Sequence, residues 1–246
     1  MTPVGAEKTV TPSGIPVVTE HVPGTGAGFL VAVRTGSRDE REGIFGISHL
    51  LEHTVFRETE KMDSFEMAKV IEGAGGELNA FTAKEMTGYY GITLAETGRV
   101  AMDIVADIVA HPTINEKDTE LEKEIVLQEI SMVRNDPETY VQDLFEQNLW
   151  RGSPLGWDEA GSEDAVGALT YRDLREYYAD RYGRRNIAVF ATGEFDRDEV
   201  VSWAEDSFAH MEAPLVKERT PPAGHGADYT YVPHHSEHIQ IAMGFP

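Results

Sequence analysis

The segment His49-Leu50-Leu51-Glu52-His53 gathers two imidazoles and a carboxylate within five residues. Around it Ile47, Leu50, Leu51 and Val55 recur at helical spacing, which predicts an amphipathic helix over residues 46–56. At about 100° per residue, His53 lies roughly 40° round the helix from His49 and Glu52 roughly 60° the other way, so the three side chains share one face. Two imidazoles there can bind one metal ion, and the carboxylate beside them can move a proton at an open coordination position. The chain has no cysteine. Any metal must therefore be held by His, Asp or Glu, and disulfides, thiolate clusters and thiol catalysis are excluded.

A catalytic zinc usually takes three protein donors. The acidic, helically periodic stretch 118–133 can supply the third, and within it Glu122 and Glu129 stand seven residues apart and face the same way within about 20°. Spacing alone does not choose between them. Glu120 and Glu124 on the same stretch read as solvated surface.

The elements that must position these groups follow from the rest of the pattern. Residues 8–22 alternate around a Pro-Ser-Gly turn at 12–14, and residues 28–34 are an apolar run of strand length, so the chain opens with antiparallel strands. Asp63 with Glu66 forms a capping pair for a second helix, which stops at Gly73, Gly75 and Gly76. The stretches ELNAFTA and TGYYGITL, joined by a polar turn at Lys84 and Glu85, predict a hairpin over 77–94. Further helices are predicted over 97–110 and 117–133, from Asp136-Pro137, over 170–181 and over 196–210, with a buried strand at 186–192.

Residues 1–211 are thus expected to form one domain, and the Pro-, Gly- and charge-rich residues 212–228 a linker. Strands at 229–232 and 238–245 are then the start of a second, truncated domain over 229–246. The 246 residues are 41% hydrophobic, enough for a sizeable core. No window approaches the roughly 18 consecutive apolar residues of a membrane helix, and residues 1–10 lack the basic and apolar regions of a secretion signal. A soluble, cytoplasmic protein is expected. The formal charge of -22 disfavours nucleic acid and anionic membrane as partners and would attract cationic peptides, but the favoured reading is a solvating surface with no bearing on substrate choice.

His-x-x-Glu-His is the zincin helix motif in reversed order, and here it is followed after 75 intervening residues by Glu129, with Glu122 seven positions before that residue. The pattern resembles the pitrilysin and mitochondrial-processing-peptidase family of inverzincin zinc metallopeptidases. The Gly36-Ser37-Arg38-Asp39-Glu40 run, Asn79-Ala80-Phe81-Thr82, and residues 156–161 and 170–182 agree with it. The resemblance implies an α+β fold, a largely antiparallel mixed sheet covered by helices on one side, as a metallopeptidase unit of the processing-peptidase type. It implies Zn2+ held by His49, His53 and Glu129, Glu52 as general base, and Glu122 as a second carboxylate behind a ligand histidine. Asn79, Ala80, Phe81 and Thr82 would be the edge strand to which an extended substrate adds, a tolerant mode of pairing.

The implied activity is a zinc-dependent endopeptidase acting on unfolded peptides or precursor segments in an enclosed chamber. The opposing half of that chamber would come from further C-terminal residues or from a partner subunit, as a homo- or heterodimer. A non-catalytic scaffold subunit is disfavoured because all four centre positions are filled, and the zinc-dependent S-ribosylhomocysteinase alternative uses a cysteine that this chain lacks. His234, His235 and His238 have no matching carboxylate pattern and read as surface histidines.

Overall fold

A computed structural model describes residues 5–24, 26–214, 218–222 and 229–244. Alternation builds its sheet. In β3(Ala27–Val33), Ala27, Phe29, Val31 and Val33 are buried on one face, whereas Leu30 on the other is only half-buried. The strands β1(Glu7–Val10), β2(Pro16–His21), β4(Glu77–Thr82), β5(Thr87–Thr93) and β6(Ile187–Gly193) join β3 in the order β1-β2-β6-β3-β5-β4. Only the β2–β6 pair is parallel; all other neighbours run antiparallel. The expected mixed, largely antiparallel sheet is present, with β1 and β4 as its edges.

The helices cover one face of this sheet. They are α1(Ile47–Val55), α2(Ser64–Gly73), α3(Gly98–Ala110), α4(Glu116–Asn135), α5(Pro137–Leu149), α6(Glu163–Ala168), α7(Tyr171–Arg181) and α8(Arg197–Phe208). α3 lies against β3 and β5 and buries Ala101, Ile104, Val105 and Ile108. It comes so close that a Cβ on Gly91 of β5 would stand 2.9 Å from that of Ala101. On the opposite face Phe190 and Ile92 remain exposed, so among the described residues the helices cover one side of the sheet. The Asp63 and Thr170 capping boxes expected from sequence both form. Short α6 is not signalled by periodicity, because six residues ending Gly-Ala carry too little pattern; its Ser162 cap defines it instead.

The strands expected at 229–232 and 238–245 are a correction: residues 229–232 and 238–244 carry no strand, and Phe245 lies outside the described residues. The alternation of Ile239, Ile241 and Met243 suits a strand, but a strand exists only with a partner, and these side chains are 88%, 76% and 88% exposed. The segment runs instead beside α5 and the end of α4, with Thr230 Oγ1 2.9 Å from Asn148 Oδ1 and His234 Nε2 3.0 Å from the Arg134 carbonyl. Of the expected linker, residues 215–217 and 223–228 lie outside the described residues, and 218–222 are without regular structure.

One position controls how the chain turns into α1. Gly46 has φ of 85°, the left-handed region, and a Cβ there would lie 2.4 Å from the Ala160 carbonyl oxygen and 2.8 Å from Val166 Cγ2. Strain and clash act together. Gly46→Ala is expected to lower stability by about 2 kcal/mol or more, measured by urea denaturation, and a change below about 0.5 kcal/mol would contradict the turn described.

Candidate metal and catalytic site

α1 is buried through Ile47, Leu50, Leu51 and Val55, which turns His49 and Glu52 outward to a cleft and His53 toward α4. α4 packs across it and contributes Glu122 and Glu129. His49 Nε2 and His53 Nε2 are 3.2 Å apart, and Glu129 Oε2 lies 3.8 Å from the first and 3.4 Å from the second. On its other side, His53 Nδ1 is 3.0 Å from Glu122 Oε2. With Nδ1–H donating to that carboxylate, His53 offers the Nε2 lone pair toward His49 and Glu129. Glu122 is held in turn by Arg57, whose Nη1 lies 3.5 Å from Oε1.

These donors fit a metal ion. One ligand atom from each of His49, His53 and Glu129 lies within 4.8 Å of the others, and no second such group occurs among the described residues. Donors bonded tetrahedrally to zinc stand about 3.3–3.5 Å apart. The 3.2 and 3.4 Å separations lie close to that spacing, and the 3.8 Å one is slightly open.

Electrostatics set the site apart from the surface. Burial, then the neighbouring His53, pulls His49 down to about 4, so its ring is a neutral donor at physiological pH. Burial also acts to lower His53, but the Glu122 hydrogen bond and the charges of Glu129, Glu52 and Glu122 outweigh it and raise the group. Glu52 is pushed above the usual carboxylate range by burial, only partly offset by a hydrogen bond from Thr82 and by His53, while Glu129 adds to the rise. Thr82 Oγ1 donates to Glu52 Oε2 at 2.5 Å. A poised, partly desolvated carboxylate beside an electrophilic centre is what proton transfer needs.

Edge strand β4 borders the cleft, of about 790 Å³, and Ala80, Phe81 and Thr82 line it. Asn79 does not; its Oδ1 accepts from the N–H of Ala80 at 2.8 Å. Sequence reasoning named Thr82 for its strand and missed its hold on Glu52. It also missed the far wall, where Phe45 meets Trp157 edge-on at 4.9 Å and Tyr140, Asp143 and Asp158 face the opening. Burial and the nearby Asp158 raise Asp143 to about 6, which marks this wall as acidic. Lys84 closes its end, donating to the Trp157 carbonyl and to Glu159, each at 2.7 Å. The 156–161 run was the one sequence signal for this wall. His234, His235 and His238 are exposed and join no donor group.

A family model described as Insulinase (Peptidase family M16) matches residues 16–161, and one described as Peptidase M16 inactive domain matches residues 168–246. The chain therefore belongs to peptidase family M16. A zinc protease of Mycobacterium leprae is 38% identical over 205 residues, covering 83% of this chain and 46% of that protein. Mitochondrial-processing peptidase subunit beta of Caenorhabditis elegans is 29% identical over 204 residues, 83% of this chain and 44% of that one. Among solved structures, a protease from Helicobacter pylori superposes with a TM-score of 0.80 at 23% identity, over 89% of this chain and 53% of that chain. An M16-like peptidase from Alicyclobacillus acidocaldarius gives 0.75 at 25% identity, over 87% of this chain and 52% of that chain. The chain spans about half the length of the curated relatives it matches.

Proposed function

We propose that this chain is the catalytic part of a zinc-dependent endopeptidase, with His49, His53 and Glu129 as the zinc ligands and Glu52 as the general base. The observation that carries the reading is the convergence of those three donors within 4.8 Å, beside a half-buried carboxylate bonded by Thr82. Zinc bound there would lower the pKa of water and polarise a substrate carbonyl. The chain's own groups do the rest. Glu52 takes a proton from the attacking water as its oxygen adds to the scissile carbonyl, and returns that proton to the departing amine as the C–N bond breaks. Glu122 orients the His53 ring through Nδ1.

The substrate in this proposal is an unfolded peptide or precursor segment that adds as a strand to the free edge of β4, at Asn79, Ala80, Phe81 and Thr82. The acidic wall at Asp143 and Asp158 favours peptides with basic side chains. An opposing half, from a longer polypeptide or from a partner subunit in a homo- or heterodimer, would enclose the substrate. Relatives about twice as long support that reading. A second family model, described as an inactive domain, matches residues 168–246 and supports the same reading; residues 229–246 are proposed as the start of a further unit.

Purified protein reconstituted with zinc is expected to hold about one equivalent by elemental analysis, and His49→Ala to lose it. Less than a tenth of an equivalent in the parent protein would defeat the assignment. Glu52→Gln removes the base without removing a ligand. It should keep its zinc and lose about 10³-fold or more in kcat on an unstructured peptide in the longer enzyme; retained activity would show that another group moves the proton.

Completeness is a separate matter. Holding a peptide in near-attack geometry supplies on the order of 7 kcal/mol or more, and half of the proposed enclosing surface is not in these residues. The 246-residue chain is therefore expected to bind zinc normally yet cleave an unstructured peptide orders of magnitude more slowly than the longer protein or its reconstituted pair. Equal kcat/KM values for the two would refute the need for an opposing half.

A further inference from the structure

α1 must present its donors at fixed angles, yet Gly46, the residue that precedes it, has no side chain with which to cap the first turn. Glu40, six residues upstream and 6% exposed, does this from outside. Its Oε2 accepts the N–H of Gly46 at 2.8 Å and its Oε1 the N–H of Ser48 at 3.0 Å, so one carboxyl group straddles the turn that leads into His49. Ser48 is fixed from the other side as well. Its Oγ lies 2.8 Å from the Tyr177 hydroxyl, which lies 2.8 Å from Thr35 Oγ1.

We propose that Glu40 is a positioning residue for the metal centre: by clamping Gly46 and Ser48 it sets the rotation of α1 about its axis, and so the direction in which His49 and His53 offer their nitrogens. The inference rests on the metal reading above. Leverage makes the clamp consequential. A rotation of about 20° moves a side-chain tip some 6 Å from the axis by roughly 2 Å, which is large against a donor set gathered within 4.8 Å. Apolar contacts beneath α1 resist removal of the helix but tolerate small rotations, whereas two directional bonds to the amides of Gly46 and Ser48 do not. The carboxyl is also retained at a cost. Burial pushes it up to about 8 despite both N–H bonds, an expense that plain packing would avoid with an apolar residue.

The test uses Glu40→Gln, which keeps the volume but offers one acceptor where two are needed. Zinc affinity by chelator competition and the visible absorption of the cobalt(II)-substituted protein are compared with the parent and with Tyr177→Phe. That control disturbs the outer hydroxyl network and leaves the clamp intact. Glu40→Gln is expected to bind zinc about tenfold more weakly or worse and to shift the cobalt bands, whereas Tyr177→Phe loses stability with unchanged bands. Parent-like affinity and bands in folded Glu40→Gln would overturn the proposal. A parent protein that takes up neither metal would instead sink the metal reading, and this inference with it. Should Glu40→Gln not fold, amide hydrogen exchange in the parent decides: strong protection at Gly46 and Ser48 supports the clamp, and exchange at the rate of an open chain refutes it.

Discussion

The packing of α1 against α4 is the contact on which the site depends, because it brings together donors that are remote in sequence. His49 and His53 belong to one helix and Glu122 and Glu129 to the other, and neither helix has a metal site alone. Assembly is opposed by desolvation and by like charge, as the depressed His49 and raised Glu52 both register. Apolar burial supplies the opposing free energy: Leu50 and Leu51 of α1 and Val126 of α4 are fully buried. A polar cluster of this kind persists only because the faces behind it are packed.

The sheet contributes through its edge. β5 pairs with β4 over six residues, from Glu77↔Ile92 to Thr82↔Thr87, and this register carries Thr82 to Glu52. A slip of one residue would turn Thr82 to the opposite face and break that bond. Among the described residues the other edge of β4 has no strand partner, beside the donors. The proposed proton-transfer group and the proposed peptide-binding edge are thus coupled through one threonine hydroxyl.

Much of this was legible in the sequence, and the gaps have physical causes. The grouping of His49, Glu52 and His53 needs only helical periodicity, which is local. Choosing between Glu122 and Glu129 is different, since both point the same way along α4. The structure separates them by which imidazole nitrogen each meets: Glu122, with a 6% exposed side chain, lies behind Nδ1 of His53, and Glu129, at 43%, faces both Nε2 atoms. That distinction depends on how two helices approach, and only the resemblance supplied it in advance. The far wall around Trp157 and Asp143 was illegible because it is built from a loop and an exposed helix face with no periodic signature. The strand pattern at Ile239, Ile241 and Met243 was legible, but pairing is a property of two segments and the pattern belongs to one.

Polar groups beneath α1 explain why a buried helix is also an oriented one. Apolar burial is non-directional, so a helix resting on Leu and Val alone can turn by several degrees at little cost. The underside here is not apolar alone. At the start of α1 the buried carboxyl of Glu40 accepts the N–H of Gly46 at 2.8 Å and the N–H of buried Ser48 at 3.0 Å. Each of these groups is buried and would cost free energy if left unpaired, so any rotation that breaks a bond is penalised twice, through the lost bond and through the stranded group. Burial decides that α1 lies on the sheet; the hydrogen bonds decide how it is turned there.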